Sequence, residues 1–152
     1  MEEFKPVVFR VGAQKFGVDI NIVRGIEKEQ DIVDVPNTAE YIKGIINLRG
    51  DVIPVYSLKK KFHMPDDKCD EPQYIIVMIK GSLMALEVDG VEEIHNVEED
   101  MLHQVPPVIS DGDTSYMQSV VSLGKELVII INIDRLLSDS EYEKMDKLVK
   151  NQ

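Results

Sequence analysis

The sequence predicts an all-β protein built as two SH3-like five-stranded β-barrel lobes packed through a shared apolar core. Three observations carry this prediction. Apolar residues alternate with polar or small ones in Lys15-Phe16-Gly17-Val18-Asp19-Ile20 and again at Val7, Phe9 and Val11, the period of half-buried strands. Glycines at 12, 25, 50, 81 and 90 punctuate these runs as turn residues do. The third observation is an internal repeat.

YIKGIINLRGDVIPVYSLKKKF (41–62) lies over YMQSVVSLGKELVIIINIDRLL (116–137) at a shift of 75, pairing Tyr41 with Tyr116, Ile46 with Val121, Leu48 with Leu123 and Val55 with Ile130. The front halves correspond at a shift of 68, VVFRVGAQKFGVDINIVRGI (7–26) over IIVMIKGSLMALEVDGVEEI (75–94), with Ile20 on Val88 and Val23 on Val91. The difference between the shifts assigns seven extra residues to the second copy, within the polar stretch 98–115, read as a long loop.

In chain order the strands fall near 7–11, 15–20, 52–57, 75–79, 83–88 and 127–133. Asn37-Thr38-Ala39-Glu40 reads as a helix N-cap with its N3 glutamate, predicting a short helix near 38–43 closed by Gly44 as C-terminal glycine. Ser140-Glu141-Tyr142-Glu143 opens a C-terminal helix over 141–150 in the same way. The expected organisation is a single domain, 1–152, with lobe one at 7–62 and lobe two at 75–137. Whether a strand crosses between the lobes is left open by the repeat.

The bulk numbers narrow the function. A chain of 152 residues with 43% hydrophobic and 30% charged residues suits one globular domain. A net charge of −11 argues against binding along nucleic acid and against adhesion to anionic lipid. The run Lys59-Lys60-Lys61 is too short for a nucleic-acid footprint and reads as a solvated strand end or turn. One cysteine, Cys69, allows neither an intramolecular disulfide nor a zinc cluster and suits a reducing cytoplasm. The N-terminus lacks the plan of a signal peptide, and the longest apolar run, LVIII (127–131), is too short for a bilayer.

Catalytic patterns are missing. His63, His95 and His103 have no second ligand at helical spacing, and there is neither a G-x-S-x-G elbow nor a Gly-rich phosphate loop. Glu98-Glu99-Asp100 and Asp111-Gly112-Asp113 do not follow the EF-hand ligand order. The expectation is no enzyme, no cofactor and no metal. Arg49-Gly50-Asp51, although it spells an integrin motif, lacks an extracellular context.

The repeat supplies a control for Arg49. Where the copies agree the residues are apolar, as a common fold requires; where they differ, Arg49 faces Gly124, Gly44 faces Ser119 and Gly50 faces Lys125. Arg49 therefore answers either to a local carboxylate, Asp51, Glu27 or another glutamate of its lobe, or to a partner surface, for which a planar and weakly hydrated cation is suited. Gly44 leaves a shallow place where a partner could approach. Ile20 and Val23 read as core, or else as exposed anchors.

These residues stand in a recognisable order: F-x-V-D-I-x-x-V (16–23), V-P (35–36), Y-I-K-G-I-I-N-L-R-G (41–50), V-I-P-V (52–55), V-D-G-V (88–91) and I-N-I-D-R-L-L (131–137). The chain resembles the CheW family of bacterial chemotaxis coupling proteins from about residue 4 to 150. The resemblance implies a non-enzymatic adaptor that binds the cytoplasmic hairpin tip of chemoreceptors and the CheW-like regulatory domain of the histidine kinase CheA. It implies a cytoplasmic protein recruited to membrane-associated receptor arrays, with no direct insertion into the membrane. Carried over by position, the receptor contacts are Ile20, Val23, Gly44, Arg49, Val88 and Val91; the kinase contacts are unassigned. Where many relatives read V-x-E-I this chain has Val23-Arg24-Gly25-Ile26, so the glutamate that supports the family's arginine is a glycine. The alternative reading from another class is a small β-barrel module that binds a ligand or metal.

Overall fold

The computed structural model describes residues 4–28, 30–35, 41–64, 71–106, 115–137 and residue 143. Strands dominate: β1 (Pro6–Val11), β2 (Gln14–Asp19), β3 (Val23–Glu27), β4 (Ile42–Leu48), β5 (Asp51–Ser57), β6 (Gln73–Ile79), β7 (Ser82–Val88), β8 (Gly90–Ile94), β9 (Leu102–His103), β10 (Met117–Leu123) and β11 (Glu126–Ile131). They form two sheets, one in the order β3-β6-β7-β5-β4 and one in the order β8-β1-β2-β11-β10-β9. The all-β, two-lobed prediction holds.

Each sheet draws on both copies of the repeat. The β1–β2 hairpin pairs with β11 of the second copy, Phe16 beside Ile129 in a parallel register. The β6–β7 hairpin pairs with β5 of the first, Ala85 beside Val55, again in parallel. Shifting β3, β4, β5, β6 and β7 onto their repeat equivalents β8, β10, β11, β1 and β2 converts the five-stranded order into the first five strands of the other sheet, to which β9 adds a sixth at the β10 edge. The molecule is a pseudo-twofold dimer of half-sheets within one chain.

Three apolar clusters fill it. One lies within the five-stranded lobe, around Ile46, Ile53, Val55, Tyr74, Ile76 and Ala85. Another lies within the six-stranded lobe, around Val8, Val97, Val121, Val128 and Ile130. The largest joins the lobes, with Phe9, Phe16 and Val18 of one sheet packed with Tyr56, Ile75, Val77 and Leu86 of the other. Alternation assigns each residue its cluster: in β6, Ile75 and Val77 face the other lobe while Tyr74 and Ile76 face inward. Burial of such a side chain contributes about 1.5–3 kcal/mol. Phe62 adds a ring stack across the joint, 4.6 Å from Phe16 and 5.1 Å from Tyr116. Among the described residues the one buried polar side chain, Ser57, is satisfied by accepting from the Lys60 amide.

Three local expectations are corrected. Residues 38–40 of the predicted helix near 38–43 lie outside the described residues, and from Ile42 the chain is strand β4, where β-branched Ile42, Ile45 and Ile46 pair with β5. Gly44 is therefore a strand residue and not a helix cap. The stretch read as a loop over 98–115 begins with a 3-10 turn, Glu99–Met101, and the two-residue edge strand β9 on β10. Lys59 is not a solvated strand end: it lies in the short helix α1 (Leu58–Lys61), and its side chain is only 13% exposed. The C-terminal helix expected over 141–150 lies outside the described residues apart from Glu143, which is helical.

Candidate functional site

Arg49 stands on a two-residue turn between β4 and β5. Leu48 and Asp51 are the last paired residues, and both turn residues have positive φ, 52° at Arg49 and 92° at Gly50. A hairpin turn of this hand suits the strand twist and favours asparagine or glycine at both places. Asn47 supports it by accepting from the Gly50 amide at 2.9 Å. The corresponding turn of the other copy has glycine, Gly124 with φ 63°, where this one has arginine. The left-handed conformation costs a side-chain-bearing residue about 1 kcal/mol or more. Arg49 occupies a place at which the fold prefers glycine.

Its partner is Glu27. Arg49 Nη2 donates to Glu27 Oε1 at 3.1 Å, with the arginine side chain 79% exposed and the glutamate 21%. Of the carboxylates open on sequence grounds, the one at the end of β3 is chosen. Gly25 and Glu27 share a face of that strand, and a side chain built on Gly25 would first meet Glu27 Oε1, at 3.9 Å. In this chain the carboxylate that pairs with Arg49 stands two residues beyond Gly25, along the same face.

The other predicted residues divide in two. Ile20, in the 3-10 turn after β2, Val23 at the start of β3, and Val91 in β8 are half-buried and pack on the edge of the inter-lobe cluster; Val88 is inside it, 2% exposed. These four sit where the chain passes between the sheets, β2 to β3 and β7 to β8. Gly44 lies elsewhere. It is covered by residues 32–34, for Val33 and Ile45 exchange backbone hydrogen bonds at 2.9 Å each way. A Cβ on Gly44 would collide with the Val33 carbonyl oxygen and lie 2.8 Å from the Ile32 side chain. Gly44 is not an open place of approach; it allows another backbone to close over the β4 edge.

Two residues were missed on sequence grounds. Ile26 and Ile94 are 41% and 55% exposed, and they pair with Ile75 and Val7, both members of the inter-lobe cluster. Cross-strand partners share a face, so each isoleucine continues that cluster outward to the solvent on an edge strand. At the shift of 68 Ile26 falls on Ile94, which makes two equivalent apolar triads, Ile20-Val23-Ile26 and Val88-Val91-Ile94. The repeat alignment contained this signal, but exposure could not be read from it.

Elsewhere the polar chemistry is local. Lys15 binds Glu126 at 2.6 Å and Glu92 at 2.9 Å, and these hydrogen bonds, Glu126 first, raise its pKa. It borders a depression of about 720 Å³ on the six-stranded lobe, whose cation is thereby engaged. His103 lies 3.3 Å from the Ser122 hydroxyl, and His95 3.8 Å from Glu93, both on the surface. Among the described residues no three His, Cys, Asp or Glu side chains are grouped to hold a metal, and no helix is long and apolar enough to cross a membrane. Cys69 lies outside the described residues.

Two lobes of one strand order, an apolar rim where their joint meets solvent, and a cation held out on a strained turn describe a protein-binding scaffold class of β protein. The chain belongs to the CheW-like domain family, whose model matches residues 5–141. It is 29% identical over 152 residues to the chemotaxis protein CheW of Treponema pallidum (strain Nichols), covering 97% of this chain and 89% of that one. Against the chemotaxis protein CheW of Klebsiella aerogenes it is 29% identical over 146 residues, 95% of this chain and 88% of the other. The crystal structure of the scaffolding protein TtCheW from Thermoanaerobacter tengcongensis superposes with a TM-score of 0.83 at 34% identity, covering 92% of this chain and 96% of that one.

Proposed function

We propose that this chain is a non-enzymatic chemotaxis scaffold that couples methyl-accepting chemoreceptors to the histidine kinase CheA and brings the kinase under receptor control. The carrying observation is the pair of repeat-equivalent apolar triads at the edge of the inter-lobe core, together with an arginine that the turn geometry disfavours and that is tied to Glu27, the residue after Ile26. A side-chain-bearing residue held in left-handed backbone is an outlier of the kind that clusters at binding sites. The names of the relatives and the family model support the same reading.

In this reading the helical hairpin tip of a receptor lies in the groove between the lobes and is anchored by side chains. Ile20, Val23 and Val91 touch it, Arg49 meets its polar flank, Val88 backs the wall from within, and Gly44 keeps the β4 edge covered. The CheW-like regulatory domain of CheA is the second partner, met by a surface that is left unassigned. The protein works in the cytoplasm, at receptor arrays on the membrane, where many modest contacts add through multivalency. Co-sedimentation with receptor signalling fragments and CheA tests the proposal. Wild type should pellet with both, and failure to bind either would refute it.

A further inference from the structure

Asp89 is the single residue between β7 of the five-stranded sheet and β8 of the six-stranded one, so the chain crosses between lobes at its Cα. It is bonded from both sides. Its amide donates to the Arg10 carbonyl at 2.9 Å and its Oδ2 accepts from the Gly12 amide at 2.6 Å, both in the β1–β2 hairpin. Its Oδ1 meets Lys59 Nζ at 2.9 Å, in α1 directly after β5 of the other lobe.

The pair differs from the other ion pairs of the surface. The side chains are 13% and 15% exposed, against 79% for Arg49. A carboxylate removed from water holds its partners more strongly than one in solvent, and breaking it leaves a charge without its counterpart. Gly12 lies close to the same joint: with φ 62°, a Cβ added there would lie 3.1 Å from Met64 Sδ, which follows α1. Turn, crossing residue and helix are thus locked at one point. Val88 precedes that point and Val91 follows it by two residues.

We propose that Lys59 and Asp89 form a strut that fixes the angle between the lobes, and so act as positioning residues for the partner held at the inter-lobe rim. Apolar packing has no direction of its own; a lysine and the Gly12 amide meeting on one carboxylate, with the Asp89 amide fixed to the Arg10 carbonyl, set an orientation. The strut's effect on lobe angle goes beyond the coupling function, while its effect on affinity rests on the receptor reading given above.

The test places spin labels on both lobes, at Asp51→Cys and Lys125→Cys in a Cys69→Ser background, and reads the inter-lobe distance distribution by pulsed electron resonance. Asp89→Asn keeps an acceptor for the Gly12 amide but removes the ion pair; Lys59→Met keeps the stem, and serves if the asparagine variant does not fold. Both should broaden or shift a narrow parental distribution with an unchanged far-UV spectrum, and Lys59→Arg should restore it. Binding to a receptor hairpin fragment should weaken by about fivefold, the low end of coupling between sites. An unaltered distance distribution in Lys59→Met overturns the strut. A broadened distribution with unaltered affinity overturns its positioning role, and loss of binding by wild type counts against the receptor reading alone.

Discussion

Arg49 reaches from the β4–β5 turn to Glu27 at the end of β3, 3.1 Å from Nη2 to Oε1, and so ties together the two edge strands of the five-stranded sheet. The contact is exposed on the arginine side. A surface ion pair of this kind is worth about 1 kcal/mol or less.

Arg49→Gly separates binding from folding. The substitution loses the ion pair but relieves the positive φ, as the glycine at 124 already does in the other copy. The two effects oppose each other, so urea denaturation should show a stability within about 1 kcal/mol of wild type. Binding to receptor fragments should fall sharply, and more so for Arg49→Glu. A well-folded glycine variant that binds as wild type would remove Arg49 from the site.

Gly44→Asp should behave in the opposite way. Its Cβ would collide with the Val33 carbonyl, and its carboxylate would be buried beside the apolar Ile32. We expect a loss of at least about 2 kcal/mol, from overpacking and an unpaired buried charge. Loss of binding by this variant reports displacement of residues 32–34, visible as increased amide exchange at Val33 and Ile45. Wild-type stability in Gly44→Asp would show that the covering segment yields easily.

The sequence made β1, β2, β5, β6, β7, β11 and the repeat legible because period-two burial and turn glycines are local signals, whereas β3, β4, β8, β9 and β10 were not placed. It could not reveal which hairpin joins which sheet. Exchanging β1–β2 for β6–β7 preserves the order of the paired strands, so the alternation and both shifts are the same either way. Gly44 was misread because a capping-box pattern ahead of it is also local, whereas its actual constraint, the Val33 backbone, comes from another segment. Lys59 looked solvated in a lysine run for the same reason: its partner Asp89 is 30 positions away. Of the candidate site, the apolar positions and Arg49 were legible, and the exposure of Ile26 and Ile94 was not.

Ile26→Gln and Ile94→Gln test the rim directly. Both side chains are exposed, so each variant should change stability by less than about 1 kcal/mol. If the two triads act as equivalent walls, each substitution should weaken receptor binding by about tenfold, the order expected of an interface anchor. Two folded variants with wild-type affinity would confine the contact to the inner residues Ile20, Val23 and Val91.

Alkaline pH should destabilise the protein through two identifiable groups. Lys15 has its pKa raised above 10.5 by hydrogen bonds to Glu126 and then Glu92. Tyr116, 8% exposed, has its pKa raised above 10.0 by burial, which disfavours the phenolate. In both cases the folded state holds its proton more tightly than the unfolded chain does. The stability each contributes is therefore fully present below the unfolded pKa and is lost as pH rises through the folded one. The urea midpoint should hold level to about pH 9 and fall as the pH rises past the ordinary tyrosine and lysine range, above about pH 10. Lys15→Met and Tyr116→Phe should each flatten that fall, and together more than either alone, since the groups lie on different elements and their effects should add. If the double variant declines as steeply as wild type, the alkaline transition belongs to other groups.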